Sequence, residues 1–277
     1  YCTPATYDLT KILLQDSAII HQDDIRYINK KRVKLGLPLI EPIYSLDDVK
    51  QSFTLLDKEE YKHWFKVTDG VEAMFTDAGH IIGSACVHLK ITEKEKVKKL
   101  TFSGDVGRYK DMILRSPDIF PQADYIIIES TYGNSLHDVI KSPVEILDYW
   151  IQKTCVEKKG KLIIPSFSVG RTQELLYILN ELSLENKLPK VPVYVDSPLS
   201  KDATEIVKSY PRYFNSRVSK LLLTDQDPFD FPGLAFIQNV DESKALNDNH
   251  QPMIIISASG MADAGRIKHH IVNNIDN

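Results

Sequence analysis

Between Phe75 and Glu129 three short apolar segments each end in a polar corner, and no other stretch constrains the fold as tightly. Phe75-Thr-Asp-Ala-Gly-His-Ile-Ile-Gly-Ser-Ala-Cys-Val-His-Leu sets His80 between glycines. Leu100-Thr-Phe-Ser-Gly-Asp-Val-Gly-Arg puts Asp105 in a second glycine-flanked corner, and Tyr125-Ile-Ile-Ile-Glu-Ser-Thr-Tyr-Gly-Asn carries Glu129 off a third segment. Apolar runs bounded by glycine predict buried strands, and glycine lets the backbone turn sharply enough to leave a polar group facing a cleft. We read His80 and Asp105 as two metal ligands and Glu129 as the residue that fixes them. Taken singly they say less: a lone histidine after a strand is usually structural, and an aspartate in a turn is equally an Asx residue.

The rest of the chain frames these corners. Residues 5–35 predict a helix, because Leu9, Ile12, Leu13, Ile19, Ile20, Ile25 and Ile28 recur at helical spacing. Lys30-Lys-Arg-Val-Lys reads as its solvated end, with phosphate binding as the lesser alternative. Ser45 predicts the cap of a short helix with Asp47 and Asp48 in its first turn. The charged run from Thr92 to Lys99 predicts a hairpin tip, and Arg108 to Pro121 a loop before a last strand.

After Asn134 the rhythm changes to helices alternating with short apolar strands, as in a parallel sheet covered by helices. Leu162-Ile-Ile and Met253-Ile-Ile-Ile have the continuous apolar character of strands buried on both faces. A domain boundary is expected near residue 135. Ligands of such sheets bind beyond the strand C-termini, here Ser166-Phe-Ser-Val-Gly-Arg, Asp196-Ser-Pro-Leu-Ser and Ser257-Ala-Ser-Gly-Met. Small hydroxyls and glycines before helix N-termini offer donors to a phosphate, and Arg171 adds a fork of them; the plainer reading is ordinary strand-to-helix turns.

Six ordered motifs carry a resemblance. Ala78-Gly-His-Ile-Ile-Gly-Ser-Ala, Ser103-Gly-Asp-Val-Gly-Arg and Glu129-Ser-Thr-Tyr-Gly-Asn resemble two metal motifs and motif A of the β-CASP branch of the metallo-β-lactamase superfamily. The runs Gly160 to Glu174, Val193 to Ser200 and Ile254 to Met261 continue it. The resemblance implies an α/β fold, with part of a metallo-β-lactamase αββα sandwich over residues 1–134 and a β-CASP domain over 135–277 that is incomplete at its C-terminus. It implies a ribonuclease, with zinc-dependent hydrolysis of RNA phosphodiesters by two ions. Asp105 and Glu129 are then catalytic, His80 and Asp105 metal ligands, and Ser166, Arg171, Ser197, Ser257, Ser259 and Gly260 contacts to RNA phosphate.

The superfamily's His-x-His-x-Asp-His motif is absent from the eight histidines, as are the family's later histidine motifs. One histidine and one aspartate make half a zinc shell, since catalytic zinc usually takes three protein ligands plus water. The expectation is a fragment with weak or absent zinc binding and no RNA cleavage of its own. The alternatives are a non-catalytic nucleic-acid-binding or scaffold relative and, less well supported, a lactamase- or thioesterase-like hydrolase. His269-His270 point to different helix faces and read as structural or solvent-facing; His63, His88 and His137 have no partner motif.

Charge enters only as a limit. A net charge of −4 argues against a broadly basic nucleic-acid coat without excluding a local groove. Cys2, Cys86 and Cys155 form no Cys-x-x-Cys pair, and Cys86 and Cys155 read as buried free thiols of a reducing compartment. No run has the apolar length of a membrane span. The resemblance implies RNA as the partner; a membrane is not expected, the cytoplasm is the expected location, and a homodimer stays open.

Overall fold

A computed structural model describes residues 1–135, 142–225 and 227–275. Helix α1 spans Pro4–Lys34: the Thr3 hydroxyl accepts from the Thr6 amide, proline takes the first turn, and Lys31, Arg32 and Lys34 fall in the last turn, where the helix dipole favours positive charge. Helix α2, Leu46–Phe53, starts on a reciprocal cap between Ser45 and Asp48.

Five strands follow: β1 (Trp64–Thr68), β2 (Val71–Asp77), β3 (Ala85–Glu93), β4 (Lys96–Phe102) and β5 (Tyr125–Ile127). They form one sheet in the order β1-β2-β3-β4-β5, antiparallel except for the parallel β4–β5 pair. Strand β1 was not foreseen from the sequence. Its side chains alternate poorly, and pairing with β2 decides it. The third apolar segment departs from expectation too. Tyr125, Ile126, Ile127 and Ile128 are 56–63% exposed, because β5 is an edge strand over which no described element packs.

The second sheet is wholly parallel, in the order β6-β9-β7-β8, with β6 Lys161–Pro165, β7 Val193–Asp196, β8 Leu234–Phe236 and β9 Met253–Ser257. Every residue of central β9 is buried, which is why its sequence is apolar without alternation. Around it lie α3 (Pro143–Ile151, continued by a π-helical turn through Glu157), α4 (Arg171–Leu184), α5 (Pro198–Lys208), α6 (Ser216–Leu221), α7 (Val240–Asp248) and α8 (Ile267–Asn274). Helix α6 was not foreseen; Asn215 caps it by accepting from the Arg217 and Val218 amides.

One cluster of buried side chains joins Leu176, Leu179, Val195 and Phe229 of this second part to Ala5 and Leu9 of α1 and to Ile82 and Ile113 from beside the first sheet. The turn after β2 thereby rests near the start of α4, where His80 and Ile82 share a cavity with Gly170 and Glu174. Among the described residues no helix is long and apolar enough to cross a membrane.

Candidate functional site

His80 stands in the turn after β2, and the turn is held from both sides. Asp77 is 6% exposed and accepts from the Gly79 amide at 2.9 Å, while Ser84 Oγ accepts from the amides of His80 at 3.1 Å and Ile81 at 3.3 Å. Burial pushes the Asp77 carboxyl above its usual range in spite of the Gly79 bond and Arg115. The backbone is fixed, and the imidazole is left free.

Asp105 reaches the same place because Gly107 allows it. The Gly107 amide donates to Ala78 O at 2.8 Å, and a Cβ on Gly107 would lie 1.8 Å from Gly79 O. Any side chain there would drive the two corners apart. Ser103 ties in the third: its amide donates to Ile127 O at 2.9 Å and its hydroxyl accepts from the Glu129 amide at 3.0 Å. Glu129 then reaches back, with Oε1 accepting from the Val106 amide at 2.6 Å and Oε2 from the Thr131 hydroxyl at 2.8 Å. Those two bonds, and more weakly the nearness of His80, hold its carboxyl below the usual range.

The structure thus brings His80, Asp105 and Glu129 to one rim. His80 Nε2 lies 3.9 Å from Asp105 Oδ2, with side chains 47% and 72% exposed. Ligands of one tetrahedral zinc at bond lengths of about 2.0–2.2 Å sit about 3.4 Å apart, so a small rotation would let the pair share an ion. Both oxygens of Glu129 are engaged, and among the described residues no group of three or more histidine, cysteine, aspartate or glutamate side chains could hold a metal. The residues present fit two positions of a zinc shell and not a complete one.

The strand-end loops of the second sheet meet as expected. The Ser166 amide donates to Ser257 O at 3.0 Å, Ser168 and Ser197 share a hydroxyl bond of 3.2 Å, and Ser257 Oγ donates to Asp196 O at 3.0 Å. The hydroxyls expected to face phosphate are sunk, however: Ser166 and Ser257 are 1% exposed and Ser197 5%, where it caps α5. They frame the loops, because each sits where a strand leaves a closed core. Of the residues expected at phosphate, the Arg171 side chain is 56% exposed and Ser259 lies at the surface. Ser259 donates to Asp263 at 2.6 Å, and Gly260 lies under the Phe167 ring, which a Cβ would meet at 2.7 Å. Phe167 itself is 54% exposed, and an aromatic beside Ser166 in a strand-to-helix loop was the signal for it.

Two further groupings escaped the sequence. Glu174 joins the halves, accepting from Arg108 at 2.6 Å and from Arg171 at 2.5 Å. Its carboxyl is nonetheless pushed up by burial, which outweighs the two guanidinium groups. Asp196, fully buried, accepts from Arg266 and His270 at 2.6 Å each and from Ser243 at 2.5 Å. Burial alone would raise this carboxyl, but the donors His270, Ser243 and Arg266 together hold it below its usual range. His270 is therefore structural and His269 exposed, so the adjacent pair divides between the two roles considered for it. His88 is buried between the hydroxyls of Thr76 and Thr101 at 2.8 Å each, and His137 lies outside the described residues.

A single-sheet α/β half resting on a parallel sheet, with a histidine and two acids on the facing rim, defines a class that known proteins share. Residues 172–277 match the Beta-Casp domain. Across 275 residues the chain is 31% identical to ribonuclease TTHA0252 of Thermus thermophilus, covering 99% of this chain and 58% of that protein. It is 30% identical over 276 residues to an RNase J-like protein of Methanocaldococcus jannaschii (98% and 57%) and 29% over 275 residues to transcription termination factor FttA of Methanosarcina mazei (98% and 40%). The chain belongs to the β-CASP family of the metallo-β-lactamase superfamily. It spans little more than half the length of these relatives at most.

Proposed function

We propose that the protein of which this chain forms part hydrolyses RNA phosphodiester bonds with zinc, and that residues 1–134 form part of its metallo-β-lactamase domain and residues 135–277 part of its β-CASP domain. The observation that carries this is the meeting of His80, Asp105 and Glu129, from three different strand ends, at a rim where His80 shares a cavity with Glu174, the partner of Arg108 and Arg171. His80 and Asp105 would supply two ligands, the others coming from outside the described residues. Bound zinc supplies the Lewis acidity that lets water attack a phosphodiester at neutral pH. Glu129 keeps the Asp105 corner in place through the Val106 amide, and Arg171 holds strand phosphate.

The lack of a three-ligand group among the described residues favours a second reading, a nucleic-acid-binding relative without catalysis. Metal content and cleavage of end-labelled RNA by a longer protein containing this chain decide between them. Asp105→Ala is expected to abolish cleavage while RNA is still bound, and Arg171→Ala mainly to weaken binding. Cleavage that survives Asp105→Ala sinks the first reading.

A further inference from the structure

A cavity of about 400 Å³ opens between α3, α4 and the loop that follows Asp105. Its floor is apolar, built from Leu147, Ile164, Leu175 and Ile178, and one wall is Trp150, 46% exposed. At the rim stand Arg108 and Arg171, joined through Glu174. The charges are layered: the Glu174 and Asp111 side chains are 13% and 8% exposed, while the two arginines are 55% and 56% exposed. Solvent therefore meets guanidinium, with the neutralising carboxylates beneath. Each guanidinium keeps N–H donors beyond those spent on Glu174.

A planar apolar wall beside an exposed cationic rim suits a ligand with a flat ring at one end and an anionic group at the other. The cavity has the size of small-ligand sites. Its position narrows the choice, because Glu174 also lines a smaller cavity that includes His80, and Arg108 follows Asp105 by three residues. We propose that this cavity is a nucleobase subsite of the RNA-binding surface, in which a base lies against Trp150 and its neighbouring phosphate rests on Arg108 and Arg171. The inference rests on the RNA reading given above. The floor offers no polar edge to a base, so the subsite accepts any base and prefers the larger purines by contact area.

The test uses the purified chain and a short single-stranded RNA at low salt. The chain has two tryptophans, and Trp64→Phe leaves Trp150 as the only indole reporter. RNA is expected to quench Trp150, and an oligonucleotide of abasic sites to bind without quenching it. Trp150→Ala is expected to weaken RNA binding by roughly 5- to 150-fold, the effect of removing one stacking partner, and Trp150→Phe to restore most of it. Unchanged melting temperatures show that the variants are folded. RNA binding with equal affinity to wild type and Trp150→Ala, without quenching, overturns the subsite and leaves the RNA reading standing. No RNA binding by any form overturns both. If Trp150 in a longer protein is shielded from acrylamide before RNA is added, another part of that polypeptide fills the cavity and the proposal falls.

Discussion

Among the described residues two histidine–aspartate pairs meet near strand ends, and they have opposite characters. His80 and Asp105 stand 3.9 Å apart with 47% and 72% of their side chains exposed; His270 and Asp196 stand 2.6 Å apart with none. The buried pair is saturated, since Asp196 also takes Ser243 and Arg266, and the other ring nitrogen of His270 meets Asn247 at 2.9 Å. The open pair is held only through its backbone. A fully buried carboxylate already holding three donors can organise loops but is closed to a ligand, whereas a pair on rigid turns with exposed side chains is open to one. Residue type is the same in both; burial separates structure from chemistry.

The sharpest way to break this comparison is to neutralise each aspartate. Asp196→Asn is expected to destabilise the fold by about 3–5 kcal/mol, because Arg266 loses its buried counter-charge. Asp105→Asn is expected to stay within about 0.5 kcal/mol, since the side chain is mostly in water. Urea unfolding of both variants measures it, and equal losses would erase the distinction.

Glu129 lies between the two types, anchored by Val106 and Thr131 yet near the surface. Glu129→Gln in a cleavage-competent longer protein is expected to lower activity about 10- to 100-fold, the usual effect of removing a group that orients a ligand. Its melting temperature is expected to move little.

Acid denaturation sharpens the comparison further. Burial lowers the pKa of His88, so the unfolded chain gains a proton more readily, and stability starts to fall once pH drops below about 6.5. Asp196 is held low in the fold, so its contribution is complete above about pH 3.9 and is lost as pH falls further. Melting temperatures followed downward in pH are expected to decline in these two stages, and Asp196→Asn to shrink the second, to which Glu129 also contributes. The smallest effect belongs to Arg171→Ala: weaker RNA binding with a shallower salt dependence, by about one phosphate contact.

Much of this was legible in the chain. The helix over residues 5–35, the Ser45 cap, the hairpin tip and the alternation after Asn134 all follow from local spacing, and the structure places α1, α2, β3–β4 and the parallel sheet where that spacing indicates. Strand β5 was misread as buried because periodicity reports that a segment is apolar, not whether anything covers it. The burial of Ser166 and Ser257 was not legible either: a serine at a strand end can face the loop or the core, and sequence does not separate the two.

Local propensity and glycine placement determined the elements and the three polar corners, because they depend on neighbours a few residues apart. Only the tertiary structure decided that Gly107 lies on Gly79, that Glu174 joins Arg108 to Arg171, and that Asp196 gathers Ser243, Arg266 and His270. Those contacts join residues 28 to 74 positions apart, except for the local Glu174–Arg171 pair. They form when packing of the whole chain outweighs the entropy of closing long loops, and no local pattern records that outcome.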